Sequence, residues 1–179
     1  MYSINCTLDG YTADADGNFA WAAPTGQFVD SHSADLEDAA AVLYGRRMYE
    51  TMAEWETNPA LAASGPGAER FAAAWMAVPK VVFSSTLQDV SSARTSLEPV
   101  LSAATVERAK AAGNVTIGGP ALAKSALLLG LVDVVSLVFC PVIVGGGTRA
   151  LPEGLKLDLR LTKEERFDNG TVRVTYAVG

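Results

Sequence analysis

Between residues 80 and 144 short apolar runs alternate with helix-patterned ones, and this alternation limits the fold more than any other feature. "KVVFSS" (80–85), "NVTI" (114–117) and "VDVVSLVFCPVIV" (132–144) read as buried strands. "SAATVERAKAAG" (102–113) and the stretch from Pro120 to Gly130 read as helices between them. Strands joined through a crossover helix pair in parallel, since a tight hairpin can only reverse the chain. The middle of the chain therefore predicts a parallel sheet packed between helices.

The flanks fill in the rest. Residues 2–7 read as a strand that runs into the Asp- and Gly-rich loop "LDGYTADADGNFAW". A helical pattern follows from about Thr25 to Ala39, with Phe28, His32 and Leu36 on one stripe. "AAAVLYG" is a buried strand ending at Gly45, "RRMYETMAEW" a helix, "NPALAASGPG" a loop, and "AERFAAAWMAV" a helix stopped by Pro79. Near the C-terminus "LDLRLTKEERF" and "TVRVTYAV" flank Asp168-Asn169-Gly170, a strong hairpin signal. The expected fold is a three-layer αβα sandwich, with a mostly parallel mixed sheet and a C-terminal antiparallel hairpin, over residues 1–179 as one domain.

Composition removes several function classes. A net charge of −6 from 14 basic and 20 acidic residues argues against a nucleic-acid surface. One histidine and two cysteines without ligand spacing leave no expected metal site. No apolar run is long enough to span a bilayer, and no charged-then-apolar leader precedes the first strand. A cytoplasmic protein with Cys6 and Cys140 as buried free thiols is expected, with no membrane or nucleic-acid partner.

Three strand ends carry unusual chemistry. In open α/β sheets ligands bind at the carboxyl ends of the parallel strands. "YGRRMYE" places Gly45 at a tight turn and Arg46 and Arg47 at a helix start, where the helix dipole disfavours cations unless an anion lies between. "FSST" offers the hydroxyls of Ser84, Ser85 and Thr86 at a second strand end. "TIGGPALAKS" puts Gly118 and Gly119 ahead of a helix with no capping side chain, as a phosphate site requires. Solvated arginines, ordinary strand-end capping and a ligand-free tight turn are the plain alternatives. No G-x-G-x-x-G follows the first strand, so the Rossmann fingerprint is absent.

In order along the chain, "LDGYTADADG", "LYGRRMYETMAEW", "KVVFSSTL", "TIGGPALAKSALLLGLVDVVSL" and "PVIVGGGT" resemble the dihydrofolate-reductase-like family that includes the reductase domain of riboflavin biosynthesis. The resemblance implies an eight-stranded mixed sheet and an NADPH-dependent reductase. It places cofactor phosphate at Gly45, Arg46 and Arg47, the adenosine end near Ser84, Ser85 and Thr86, and the pyrophosphate at Gly118, Gly119 and the amides of Ala121 and Leu122. It brings the loop with Thr12 and Ala13 over the nicotinamide. It also implies a homodimer, joined near strand 132–144 and the "GGGT" turn.

The substrate side is less patterned. Trp21 is followed by Ala22, Ala23 and Pro24, not by the order of the classical folate enzymes, and "ETNPAL" (56–61) has few cations near it. A small planar heterocycle, pterin- or pyrimidine-like, is expected, with Trp21, Phe28 and His32 as candidate walls and Asp35 as candidate proton donor. Scarce cations near helix 30–38 argue against the 5-amino-6-ribosylamino-pyrimidine phosphate of riboflavin biosynthesis. An NADP(H)-binding sensor without turnover is the alternative outside enzymes.

Overall fold

The computed structural model describes residues 1–23 and 26–179. Ten strands and six helices follow in order: β1 Tyr2–Thr7, β2 Tyr11–Ala13, α1 Gln27–Asp38, β3 Ala41–Gly45, α2 Arg46–Thr57, α3 Pro59–Ala62, α4 Ala68–Ala77, β4 Lys80–Phe83, β5 Thr95–Glu98, α5 Ala103–Lys110, β6 Val115–Gly118, α6 Pro120–Leu128, β7 Val134–Cys140, β8 Thr148–Arg149, β9 Leu159–Arg166 and β10 Val172–Val178. Eight of the strands form one sheet in the order β5-β4-β3-β6-β1-β7-β10-β9. The six from β5 to β7 are parallel, and β10 and β9 close the sheet as an antiparallel hairpin. The expected start of the first helix at Thr25 lies outside the described residues.

Alternation along each strand divides the core in two. Val42, Tyr44 and Val82 face α1, α2 and α4, where they meet Val29, Tyr49, Met52 and Trp75. Tyr2, Cys6, Leu43, Phe83 and Ile117 face the other way, onto Val106 of α5 and Leu122, Ala123 and Ala126 of α6. Sheet and helices thus make the three layers expected from the crossover pattern. Among the described residues no helix is long and apolar enough to cross a membrane.

Three elements escape the sequence pattern. β5, "TSLE", is a short polar edge strand with no alternating apolar signal. α3 is a single turn inside the expected loop, with Pro59 in its first turn and the Asn58 side chain accepting from the Ala60 amide. β2 and β8 form a separate two-stranded sheet, Tyr11 opposite Arg149 and Ala13 opposite Thr148. That small sheet ties the loop after β1 to the loop after β7. Gly147 makes it possible, since a Cβ there would lie 2.0 Å from the Ala13 carbonyl oxygen.

Lys80 begins β4 inside the core. Its Nζ donates to the carbonyls of Trp75 at 2.7 Å and Val78 at 2.9 Å, capping the end of α4, and stands 4.4 Å above the Trp75 ring. Burial pulls its pKa down from 10.5 to about 8. The unfolded chain therefore holds this proton more tightly, and stability should rise as pH climbs between those two values. Measured by urea denaturation, the stability of the wild type relative to Lys80→Met should grow by up to about 3 kcal/mol across that window. A difference that stays flat would contradict the assignment.

Candidate active site

The carboxyl edge of the sheet holds a junction where the winding reverses. β3 and β6 are neighbours, with Tyr44 opposite Gly118. The helix after β3, α2, packs on one face of the sheet, and the helix after β6, α6, packs on the other. Such a switch point opens a crevice between adjacent strand ends, the usual ligand position in open α/β sheets. Both helices start there without a side-chain cap, at Gly45 and Gly119. Their first-turn amides have no intrahelical partner, and both dipoles present a positive end to one crevice. An anionic group with two phosphates fits that arrangement.

The glycines at this junction answer to packing as well. A Cβ on Gly118 would lie 2.6 Å from Cε1 of Tyr44, and one on Gly119 would lie 3.1 Å from Cβ of Met48. Gly119 also has φ +90°, a conformation that side chains disfavour. The bare backbone lets Tyr44 and Met48 close on β6, and it leaves the α6 start uncovered. Met48 therefore borders the crevice.

The expected cofactor residues fall on the adjacent strand ends β4, β3, β6 and β1. Arg46 opens α2 with Nε 2.7 Å from Oε1 of Glu50, and its Nη1 donates to Oγ1 of Thr86 at 3.1 Å. The i,i+4 pair with Glu50 gives Arg46 a local partner of opposite charge. Arg47 is exposed and makes no ion pair among the described residues. Ser84 Oγ accepts from the amides of Thr86 and Leu87, so this hydroxyl holds the turn, while Ser85 is exposed. Thr12 Oγ1 donates to the Thr148 carbonyl at 3.2 Å, and Ala13 lies in β2. Ala121 is exposed at the α6 start, whereas the Leu122 side chain is core and only its amide faces the first turn. Alongside Arg46, an open groove of about 370 Å³ runs between α2 and segment 87–91, bordered by Tyr49, Glu50, Glu54, Leu87 and Asp89.

Asp9 follows β1 and reaches across to the loop after β7. Its carboxylate accepts from the amides of Val144, at 3.3 Å, and Gly145, at 2.7 Å, clamping the β1 loop to the β7 loop. A hydrogen bond from Thr7, together with these amides, holds its pKa below the usual range.

On the substrate side the structure separates the four candidates. Trp21 sits in a short 3-10 turn, Ala20–Ala22, and its indole Nε1 is buried with no acceptor among the described residues. Asn5 of β1 donates to the Ala22 carbonyl and its Oδ1 meets His32 Nε2 at 3.1 Å, tying that turn to α1. Because Asn5 offers its oxygen, His32 donates through Nε2. Burial and the nearby Arg173 charge push the His32 pKa down to about 3, so the ring is neutral and a poor proton source. Phe28 is 1% exposed and packs on Val138 and Phe167, so it is core and not a pocket wall.

Asp35, the expected proton donor, is engaged in an ion pair. α1 runs from the carboxyl edge toward the amino end of the sheet, where Asp38 accepts from Asn114 just before β6. Asp35 lies in the last turn of α1 and pairs with Arg173 of β10, Oδ2 to Nη2 at 2.8 Å and Oδ1 to Nη1 at 3.2 Å. Burial raises its pKa against the opposing pull of Arg173. Its carboxylate is held in a pair with the buried guanidinium of Arg173, a residue that stands opposite Val138 of β7. Arg70 likewise meets Glu37 and Asp30, so the helix expected to lack cations has two of them. Arg70 and Arg173 come from distant segments, and the local sequence around 30–38 carried no sign of them.

Strand order, winding reversal and C-terminal hairpin define a dihydrofolate-reductase-like reductase fold. The RibD C-terminal domain model matches residues 1–173, and the chain belongs to that family. Among solved structures, a protein assigned to riboflavin biosynthesis from Shewanella sp. PV-4 superposes with a TM-score of 0.74 at 21% identity, covering 99% of this chain and 97% of that one. A pyrimidine reductase-like protein from Corynebacterium diphtheriae gives 0.63 at 14% identity, covering 99% and 90%. A diaminohydroxyphosphoribosylaminopyrimidine deaminase/5-amino-6-(5-phosphoribosylamino)uracil reductase from Thermotoga maritima gives 0.64 at 17% identity, covering 99% of this chain and 56% of that one. No curated protein sequence matches the chain.

The packing account of the junction is testable without any ligand. Gly118→Ala should destabilise the protein by about 1–3 kcal/mol, because Tyr44 must move. Denaturation of the ligand-free variant measures this, and unchanged stability would leave only a ligand to explain the glycine.

Proposed function

We propose that the chain is a cytoplasmic NADPH-dependent reductase of a small pyrimidine-type heterocycle, with residues 1–179 acting as one domain. The observation that carries this reading is the β3/β6 crevice, where two uncapped helix starts and Arg46 and Arg47 converge. Membership in the RibD C-terminal domain family and the pyrimidine reductases among its structural neighbours favour it over a sensor without turnover, and favour a pyrimidine over a pterin. The amides of Ala121 and Leu122 would hold the pyrophosphate beside Gly118 and Gly119, and Gly45, Arg46 and Arg47 would hold the adenosine phosphate with Ser84, Ser85 and Thr86. Thr12 and Ala13 would border the nicotinamide, from whose C4 the cofactor supplies hydride.

On the substrate side we assign Trp21, whose buried indole N–H finds no acceptor among the described residues. Asn5 fixes the turn that carries it. Asp35 acts as counter-ion to Arg173. Arg70 and Arg173 are both taken up by carboxylates of α1, so neither is free to receive a substrate phosphate.

Calorimetric titration should show NADPH binding more tightly than NADH. Arg46→Ala should weaken NADPH by about 1.5–3 kcal/mol and NADH less, the cost of one charge-assisted contact. Nicotinamide oxidation should then be screened against dihydrofolate, dihydropterins and ribosylaminopyrimidines with and without phosphate. Turnover of a pyrimidine is expected, and NADPH binding with no turnover of any pyrimidine would overturn the substrate assignment.

The same reading includes a homodimer. On the face that carries α6, Phe139, Val174, Tyr176, Leu161, Val178 and Leu159 stand in register across β7, β10 and β9. Leu159 and Leu161 are 43% and 48% exposed. An apolar sheet face of this kind normally packs against a second surface. Light scattering should report a dimer at micromolar concentration and a monomer for Leu161→Lys. A monomeric wild type would refute the assembly.

A further inference from the structure

We infer that Glu50 is a specificity-determining residue, one that narrows the preference for a cofactor bearing a 2′-phosphate over one with a free 2′-hydroxyl. The inference rests on the cofactor reading above and concerns how Arg46 is shared. Arg46 is the first residue of α2 and Glu50 follows one turn later, with Nε and Oε1 2.7 Å apart. Nη1 is given to Thr86. A guanidinium grips phosphate best with two parallel N–H donors. With Nε on a carboxylate and Nη1 on a hydroxyl, that fork is already half occupied.

The charge of Glu50 works in the same direction. A phosphate arriving at Arg46 would stand close to this carboxylate, while a ribose 2′-hydroxyl could donate to it, as acidic residues do in sites that take the unphosphorylated cofactor. Glu54 and Asp89 border the same groove, and neither makes an ion pair among the described residues. The Arg46–Glu50 pair is about half exposed on both sides, at 50% and 46%. Such pairs add little to stability, so removing the charge should leave the fold intact. Two features thus oppose each other at one helix start: arginines that attract phosphate, and a carboxylate that discounts it.

The test is titration of NADPH and NADH into wild type, Glu50→Gln and Glu54→Gln, with circular dichroism confirming that each is folded. Glu50→Gln should raise the NADPH-to-NADH affinity ratio by about three- to tenfold, more at low salt than at high salt. Glu54→Gln, one turn further along the groove and not bonded to Arg46, should change the ratio less. A ratio that is unchanged or lower in Glu50→Gln overturns the inference, as does an equal rise in Glu54→Gln. A wild type that binds neither nucleotide overturns the cofactor reading itself, a separate and recognisable outcome.

Discussion

The contact of Tyr44 with Gly118 is the constraint from which the candidate site follows. These residues stand opposite each other at the ends of β3 and β6, and the ring approaches closer than any Cβ would permit. That approach seats the two strands side by side with their outgoing helices on opposite faces. It therefore brings the open ends of α2 and α6 to one crevice. A larger residue at either glycine would both disturb the core and cover the helix amides. Packing and ligand access ask for the same residue type here, so they cannot be told apart from sequence alone.

Two buried cations show how the rest of the core handles charge. Lys80 is satisfied by carbonyls at the end of α4 and by the Trp75 ring, with no carboxylate in contact among the described residues. Arg173 is only 7% exposed and draws Asp35 to it, with Glu165 3.8 Å away. Removing one member of such a pair leaves the other buried and uncompensated, a larger penalty than the pair's net contribution. Asp35 is thus committed by electrostatics before any chemistry is considered. The same guanidinium helps keep His32 neutral. Burial dominates both groups, with Arg173 adding to the shift of His32 and opposing that of Asp35.

Legibility in the sequence follows interaction range. Alternating strands and helices, the Asp168-Asn169-Gly170 hairpin and the strand-end glycines are encoded within a few residues, and the structure reproduces each of them. β5 was missed because a polar edge strand of four residues has no buried face to leave a pattern. The partner of Asp35 lies 138 residues away, and the amides clamped by Asp9 lie 135 and 136 residues away. No window of sequence holds those pairs. Glu50 differs: its i,i+4 spacing from Arg46 is local, so this pair is legible in the sequence.

The loops at the carboxyl edge are where precise placement is needed. A loop after β1 that must border a planar ring would be poorly placed if it hung free. Here it is fastened twice to the loop after β7, by the β2–β8 pairing and by the Asp9 carboxylate on the Val144 and Gly145 amides. Asn5 adds a third fastening further on, from β1 to the turn that carries Trp21. Each tie uses backbone or short polar side chains, whose ordering costs little conformational entropy compared with long flexible ones. Ordering is therefore done largely in the folding of the chain, so that less remains to be lost when a ligand enters. The glycine-rich "VGGGT" segment is accordingly a fastened strap, in which Gly147 is required by the Ala13 and Asp14 backbone it touches.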